Sequence, residues 1–342
     1  LGPKKKIGGR TVLTDLVTSK NQLESFLSVK TRWQKKAKNG RIINKQYPTM
    51  LKKALDAVKI GEFKMLSVHD QHVPGYESDK DLQIRVLGPV PEGGPGDPPR
   101  LRWLSGVGMT KNGHSVVLKL QYRNVSMLLG GDLNIPSENL LISHHTGMTC
   151  PPKSRENEEA LVEAARSTFQ VEIAKSCHHG SSDFSPLFLR AVNPVATIIS
   201  SGDDEPHSHP RADTLGTVGL LSRGSRPLIF STELARSAKE TIKHPNVLRR
   251  AFAERLKKII AAPANTAKQR KAREKKQKDF EKEMNKVLDR SVAVFGAISV
   301  VTDGHKVVIA QKLERPRGKD RKWDIYRLEA KGNGPLRYLS KH

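Results

Sequence analysis

The sequence predicts a mixed α/β fold built in layers, on three observations. Residues 171–230 alternate short apolar strands with helical segments. Residues 115–129 and 291–328 read as antiparallel strands joined by tight turns. Three polar clusters stand where apolar runs end: Gly130-Gly131-Asp132, Cys177-His178-His179-Gly180-Ser181-Ser182 and His207-Ser208-His209-Pro210. Layered α/β folds collect their chemistry at strand ends in this way.

Each element follows from its pattern. Leu23, Phe26 and Leu27 predict a helix over residues 21–29. Met50, Leu51, Leu55 and Val58 predict another over 47–58, with Pro48 in its first turn. Lys4-Lys5-Lys6 reads as a solvated basic end. A short strand is expected at 63–68, followed by a polar loop carrying His69, Asp70 and His72. Residues 82–87 alternate at period two, as a strand does. The Gly- and Pro-rich stretch 88–99 is a loop.

Residues 115–122 and 125–129 form two strands with Arg123-Asn124 as the turn. Helices are expected within 137–145 and 153–168. Between them, 143–155 reads as an inserted loop presenting His144 and His145 to solvent. Strands follow at 171–174, 195–200 and 228–230, with helices at 186–192 and 211–221. Asp303-Gly304 turns one terminal strand (292–301) into the next (306–311), and a third is expected at 323–328.

Composition narrows the function classes. The chain has 342 residues, 36% of them apolar, and a net charge of +25. That charge implies a polyanionic partner, of which nucleic acid is the commonest. Two cysteines, Cys150 and Cys177, exclude a disulfide scaffold. No apolar run is long enough to span a membrane, and no signal peptide is visible, so a cytoplasmic location is expected. In 251–290, 13 Lys or Arg face 6 Asp or Glu. This reads as a basic helix, either a plain solvated face or an arm touching nucleic acid. It has few aromatics, so base stacking is not suggested.

The three clusters match what a hydrolytic metal site needs. Zinc accepts imidazole nitrogen and carboxylate oxygen. Two such ions a few ångströms apart clamp the entering and leaving oxygens of a displacement. Asp132 is the candidate carboxylate between them. His178 or His179 completes one shell, and the neighbouring imidazole then bonds the substrate oxyanion or supports a ligand from behind. His207 and His209, two apart, face one way in an extended segment, so a metal takes both or His209 alone.

This set resembles the metallo-β-lactamase fold superfamily, and within it the lactamase-like domain of bacterial DNA-uptake channel proteins. That branch ends a strand in Leu-Leu-Thr-Gly-Asp, here Leu128-Leu129-Gly130-Gly131-Asp132. Its Lys-Val-Pro-His-His-Gly-Ser is similar to Lys175-Ser176-Cys177-His178-His179-Gly180-Ser181. Its Asn-Pro before a strand is similar to Asn193-Pro194, and its His-Pro to His209-Pro210. Asn112 to Leu118 and Arg85 to Pro89 resemble two further family segments. The likeness covers roughly 82–232, and the terminal sheet element at 291–328 is expected to belong to it.

The resemblance implies an αββα four-layer sandwich and hydrolysis by a metal-bound hydroxide. It implies two divalent metal ions, zinc or else manganese. It implies Asp132, His178 and His209 as metal ligands, with Asp132 and His179 as the catalytic pair. The family's earlier His-x-His-x-Asp-His motif has no counterpart, because His69-Asp70-Gln71-His72 has the wrong spacing. N-terminal truncation is the expected cause, with Gly8-Gly9 as the remnant downstream of the lost motif. The expected organisation is therefore an incomplete hydrolase domain (1–232), a basic helical insertion (234–290) and terminal strands (291–330) that complete the domain. The expected function is phosphodiester hydrolysis. The alternatives are an inactive lactamase-fold module that binds nucleic acid or a protein, and a small-molecule hydrolase with a solubilising basic helix.

Overall fold

The computed structural model describes residues 2–29, 46–56, 64–93, 97–202, 207, 209–224, 226–232, 245–290, 296–313, 322–330 and 334–341. The chain opens with a hairpin. Strands β1 (Lys4–Ile7) and β2 (Arg10–Leu13) pair antiparallel, with Ile7 opposite Arg10. Gly8 and Gly9 between them both have positive φ, 56° and 77°. A two-residue hairpin demands that conformation and glycine supplies it. Gly8-Gly9 is thus a turn that closes its own hairpin. Lys4-Lys5-Lys6 lies in a strand, though an exposed one.

Helices α1 (Lys20–Ser28) and α2 (Gln46–Asp56) follow close to their expected bounds. The strand expected at 63–68 is not formed over its described part. Val68–Asp70 is instead a helical turn, closed by a capping box in which Asp70 accepts the Ser67 N–H at 2.8 Å. Asp70 therefore serves its own loop. Strand β3 (Leu82–Gly88) comes next, then β4 (Leu101–Arg102), which joins β1 and β2 as the third strand of a small sheet. Helix α3 (Val107–Gly113) was not legible in the sequence, because its residues show no apolar period.

The main sheet is built from β3, β5 (Val117–Tyr122), β6 (Val125–Leu129), β7 (Ile173–Lys175), β8 (Ala196–Ile199) and β9 (Leu228–Ser231), in that spatial order. The first three are antiparallel and the last four parallel. Parallel neighbours need crossovers. These contain α4 (Ile135–Thr146), α5 (Arg155–Phe169), α6 (Pro186–Val192) and α7 (Ala212–Leu221).

The sheet's two faces have different partners. Leu128 and Ala174 point into a core with Ile142, Leu161, Phe169 and Phe188 from the helices. Val125, Ile173, Ala196, Ile198 and Phe230 point the other way. There they meet Val307, Ile309, Leu328 and Leu336 of a second, four-stranded sheet. That sheet holds β10 (Ile298–Thr302), β11 (Lys306–Lys312), β12 (Trp323–Ala330) and β13 (Leu336–Lys341), all antiparallel. The layers described are thus helix, sheet, sheet: a mixed α/β sandwich. Strand β13 extends the terminal sheet beyond residue 330.

Phe169 is fully buried and meets Phe188 edge-on at 5.2 Å. Phe169→Ala is expected to lower stability by about 3–5 kcal/mol, since the cavity cannot collapse between a sheet and two helices. Urea unfolding would measure it.

The basic region forms two helices, α8 (Pro245–Ala261) and α9 (Ala267–Arg290). Helix α9 starts where Thr266 and Gln269 cap each other, at 3.2 and 3.1 Å. The pair is joined by Phe252 and Phe280, whose rings are 5.6 Å apart. The Gly296 N–H donates to the Thr232 carbonyl at 2.9 Å. The chain therefore leaves the sandwich after Thr232 and returns beside it. Among the described residues no helix is long and apolar enough to cross a membrane.

Candidate active site

The parallel strands β6, β7 and β8 end at one edge of the sheet, and the three polar clusters follow them there. Crevices at the carboxyl ends of parallel strands are where such sheets bind ligands. After β6, Gly131 takes φ 61° and brings the chain against Ser115, where a Cβ would stand 2.4 Å from the Ser115 Cβ. Only glycine fits. The Asp132 N–H then donates to Ser115 Oγ at 3.0 Å, and Ser115 Oγ donates to the Asn112 carbonyl at 2.8 Å. Asp132 is held by its backbone, and its carboxylate stays part-exposed beside His179.

After β7, His178 and His179 both adopt left-handed backbone, with φ 46° and 55°. Two consecutive non-glycine residues there are uncommon, and such strain is found at functional sites. The turn is anchored by the His178 N–H on the Gly131 carbonyl at 3.0 Å. Gly180 ends it at φ 77°, where a Cβ would collide with Pro210 Cβ at 2.8 Å. The Arg211 N–H returns to the Gly180 carbonyl at 2.8 Å. The second and third clusters are thus stitched together.

The site residues meet as follows. His179 Nε2 lies 3.4 Å from Asp132 Oδ1. His179 Nδ1 lies 2.7 Å from the Ser200 carbonyl, at the end of β8. A carbonyl only accepts, so Nδ1 carries the hydrogen. In neutral imidazole, Nε2 then presents a lone pair to a carboxylate. Two acceptors at that distance need a cation or a proton between them. Two donors each about 2.1 Å from a tetrahedral ion stand roughly 3.4 Å apart, so the pair fits two positions on one zinc-sized ion. A carbonyl behind the ring is the usual support of a ligating histidine.

His178 points elsewhere. Its Nε2 is 3.3 Å from the Asn112 amide, and its buried Nδ1 has no hydrogen-bond partner. Its ring meets the buried His209 edge-on at 5.6 Å, and His207 stacks on His209 at 5.8 Å. The three clusters do come together, but the imidazole against Asp132 is that of His179. Among the described residues no set of three or more His, Cys, Asp or Glu groups converges on one point suited to a metal ion. Ser208 and residues 203–206 lie outside the described residues.

His144 and His145 are not in a loop. They close the last turn of α4, where His145 Nε2 bonds the Leu87 carbonyl at 2.9 Å and its ring meets Phe169 at 5.2 Å. Burial lowers the pKa of His145, which keeps it neutral as a packing residue.

Beneath the site stands a group that sequence reasoning missed. Glu138 of α4 is fully buried, accepts the Ser185 N–H and neighbours Cys177. Burial pushes its carboxyl up to about 8 from 4.5, with Asp183 adding to the shift and the Ser185 N–H opposing it. The folded chain therefore holds one proton more than the unfolded chain between about pH 4.5 and 8, and stability falls as pH rises through that window. Glu138→Gln is expected to flatten this slope. Urea unfolding at pH 5 and pH 8 would show the wild type weaker at pH 8 by a few kcal/mol, on the order of its shift, and the variant nearly unchanged.

Searches of the chain against protein-family models, curated proteins and solved structures found no match.

Proposed function

We propose that the crevice is a divalent-metal site for phosphoester hydrolysis, on a sandwich of the metallo-β-lactamase kind. The observation that carries this reading is His179 Nε2 standing 3.4 Å from the Asp132 carboxylate, with Nδ1 engaged from behind by the Ser200 carbonyl. Asp132 and His179 are the first two ligands. His178 and His209 pack edge-on against each other nearby, with ring centroids 5.6 Å apart, and would flank the ion. Asp132 and His179 would hold a divalent ion there, and such an ion would supply acidification of a bound water and polarisation of a phosphoryl oxygen.

The chain's own part is positional. Ser115 fixes the Asp132 backbone, Ser200 fixes the His179 ring, and the Asn112 amide holds His178 across the crevice. The net charge of +25 favours an anionic substrate, so a phosphodiester is preferred over a lactam or thioester.

The test is metal uptake, together with hydrolysis of bis-p-nitrophenyl phosphate in the presence of zinc or manganese. Bound metal with turnover supports the reading. Absence of both in a folded protein overturns it and leaves a binding module.

A further inference from the structure

Helix α9 carries a feature that the hydrolytic reading does not use. Lys268, Lys271, Lys275, Lys278 and Lys282 follow one another at steps of three and four residues, and all five are exposed. At 3.6 residues per turn they fall within a stripe about 80° wide and about 21 Å long. Phe280, which is 3% exposed and packs on Phe252 of α8, lies on the opposite side of the helix. Arg273 also faces α8, donating to the Ile260 carbonyl at 3.1 Å. The helix therefore turns Phe280 inward and these five lysines outward.

The carboxylates of the same segment lie off the stripe. Glu274 and Glu281 are on one flank, and Asp279 and Glu283 on the other. Glu283 pairs with Arg255 of α8 at 3.3 Å. A solvated helix stabilised by its own ion pairs intersperses opposite charges along one face. In α9 the five lysines share one azimuth over residues 268–282, and the carboxylates of that stretch flank it.

We infer that the lysine stripe of α9 is a docking surface for the phosphodiester backbone of nucleic acid. Charge complementarity selects that occupant. Successive lysines advance by about 4.5 or 6 Å along the axis, and a duplex presents one phosphate per roughly 3.4 Å on each strand. Each ammonium therefore has a phosphate within its side-chain reach. Lysine is a point charge without arginine's fork, and no aromatic stands on the stripe, so recognition is of backbone charge and not of base sequence. An anionic membrane is disfavoured because a surface-seeking helix needs an outward apolar face, and the Phe280 side of α9 is covered by α8.

The test uses the full chain and a variant with all five lysines changed to Gln, which keeps helix propensity. A control variant changes Lys5, Lys6, Lys53, Lys153 and Lys312 to Gln, for the same loss of net charge. The probes are a 30-base-pair DNA duplex of mixed sequence, one of its single strands, and vesicles of phosphatidylcholine and phosphatidylserine at 3:1. Circular dichroism confirms that both variants keep their helix.

The stripe variant is expected to lose about 100-fold or more in duplex affinity at 100 mM salt, and the control less than about 5-fold. Five neutralised phosphates predict a salt slope steeper by roughly 4.5 for the wild type than for the stripe variant on duplex, and roughly 3.5 on single strand. Equal losses in the two variants would reduce the effect to net charge and overturn the assignment. So would vesicle binding that exceeds DNA binding and depends on the same lysines. Metal uptake and turnover of a small phosphodiester are expected to be unchanged in the stripe variant. A chain that binds DNA but takes up no metal would sink the hydrolytic proposal and leave the stripe standing.

Discussion

Asp132→Asn is expected to abolish most hydrolysis and to lower metal content, while leaving the fold intact. The carboxylate has no part in anchoring its own loop. The anchors are the Asp132 N–H on Ser115 Oγ and the Gly131 carbonyl under His178, and both are backbone groups that Asn retains. The amide would still contact His179 Nε2, now as a donor filling the lone pair that a cation would need. Removing a group that only supports a ligand costs about 10–100-fold in metal affinity or activity, so loss of the carboxylate itself should exceed about 100-fold. His179→Gln should behave alike. Metal analysis beside turnover of a phosphodiester is the measurement. A variant that keeps full turnover would place the chemistry elsewhere.

Much of this site was legible in the sequence, and the reason is local. Gly131 and Gly180 are needed where the chain must turn against Ser115 and Pro210, so they mark the strand ends by themselves. Apolar runs at 125–129, 173–175 and 196–199 fix strands because both faces of the main sheet are covered. Which of His178 and His179 meets Asp132 was not legible. It depends on two successive left-handed residues, a conformation that neither side chain announces.

Other misses have equally specific causes. Strand β1 is exposed at every position, so Lys4-Lys5-Lys6-Ile7 has no alternation to read, although Gly8-Gly9 was a hairpin signal. Strand β13 turns Leu336 and Tyr338 inward, but the exposed Leu339 beside Tyr338 breaks the apolar alternation that would mark it. Glu138 was not legible, because the partners that meet it, Cys177 and Ser185, arrive 39 and 47 residues later.

A chain ended at Thr232 is expected to be recovered unfolded or aggregated, whereas one in which 233–295 is replaced by a short Gly-Ser loop is expected to fold. The asymmetry follows from where apolar surface lies. Val307, Ile309, Leu328 and Leu336 are each almost fully buried against the main sheet. At about 1.5–3 kcal/mol for each such side chain, their loss removes about 6–12 kcal/mol, comparable with the whole stability of a domain at about 5–15 kcal/mol. It also uncovers Val125, Ile173, Ala196, Ile198 and Phe230 on the face left behind. The helical pair closes on itself through Phe252 and Phe280. Its excision joins Thr232 to Gly296, which already share a hydrogen bond at 2.9 Å. Solubility, cooperative urea unfolding and metal uptake would be compared for the two chains. A soluble, cooperatively folding chain ending at Thr232 would show the terminal sheet to be a separate unit. Loss of folding on excision would show that the helices support the sandwich and do more than extend from it.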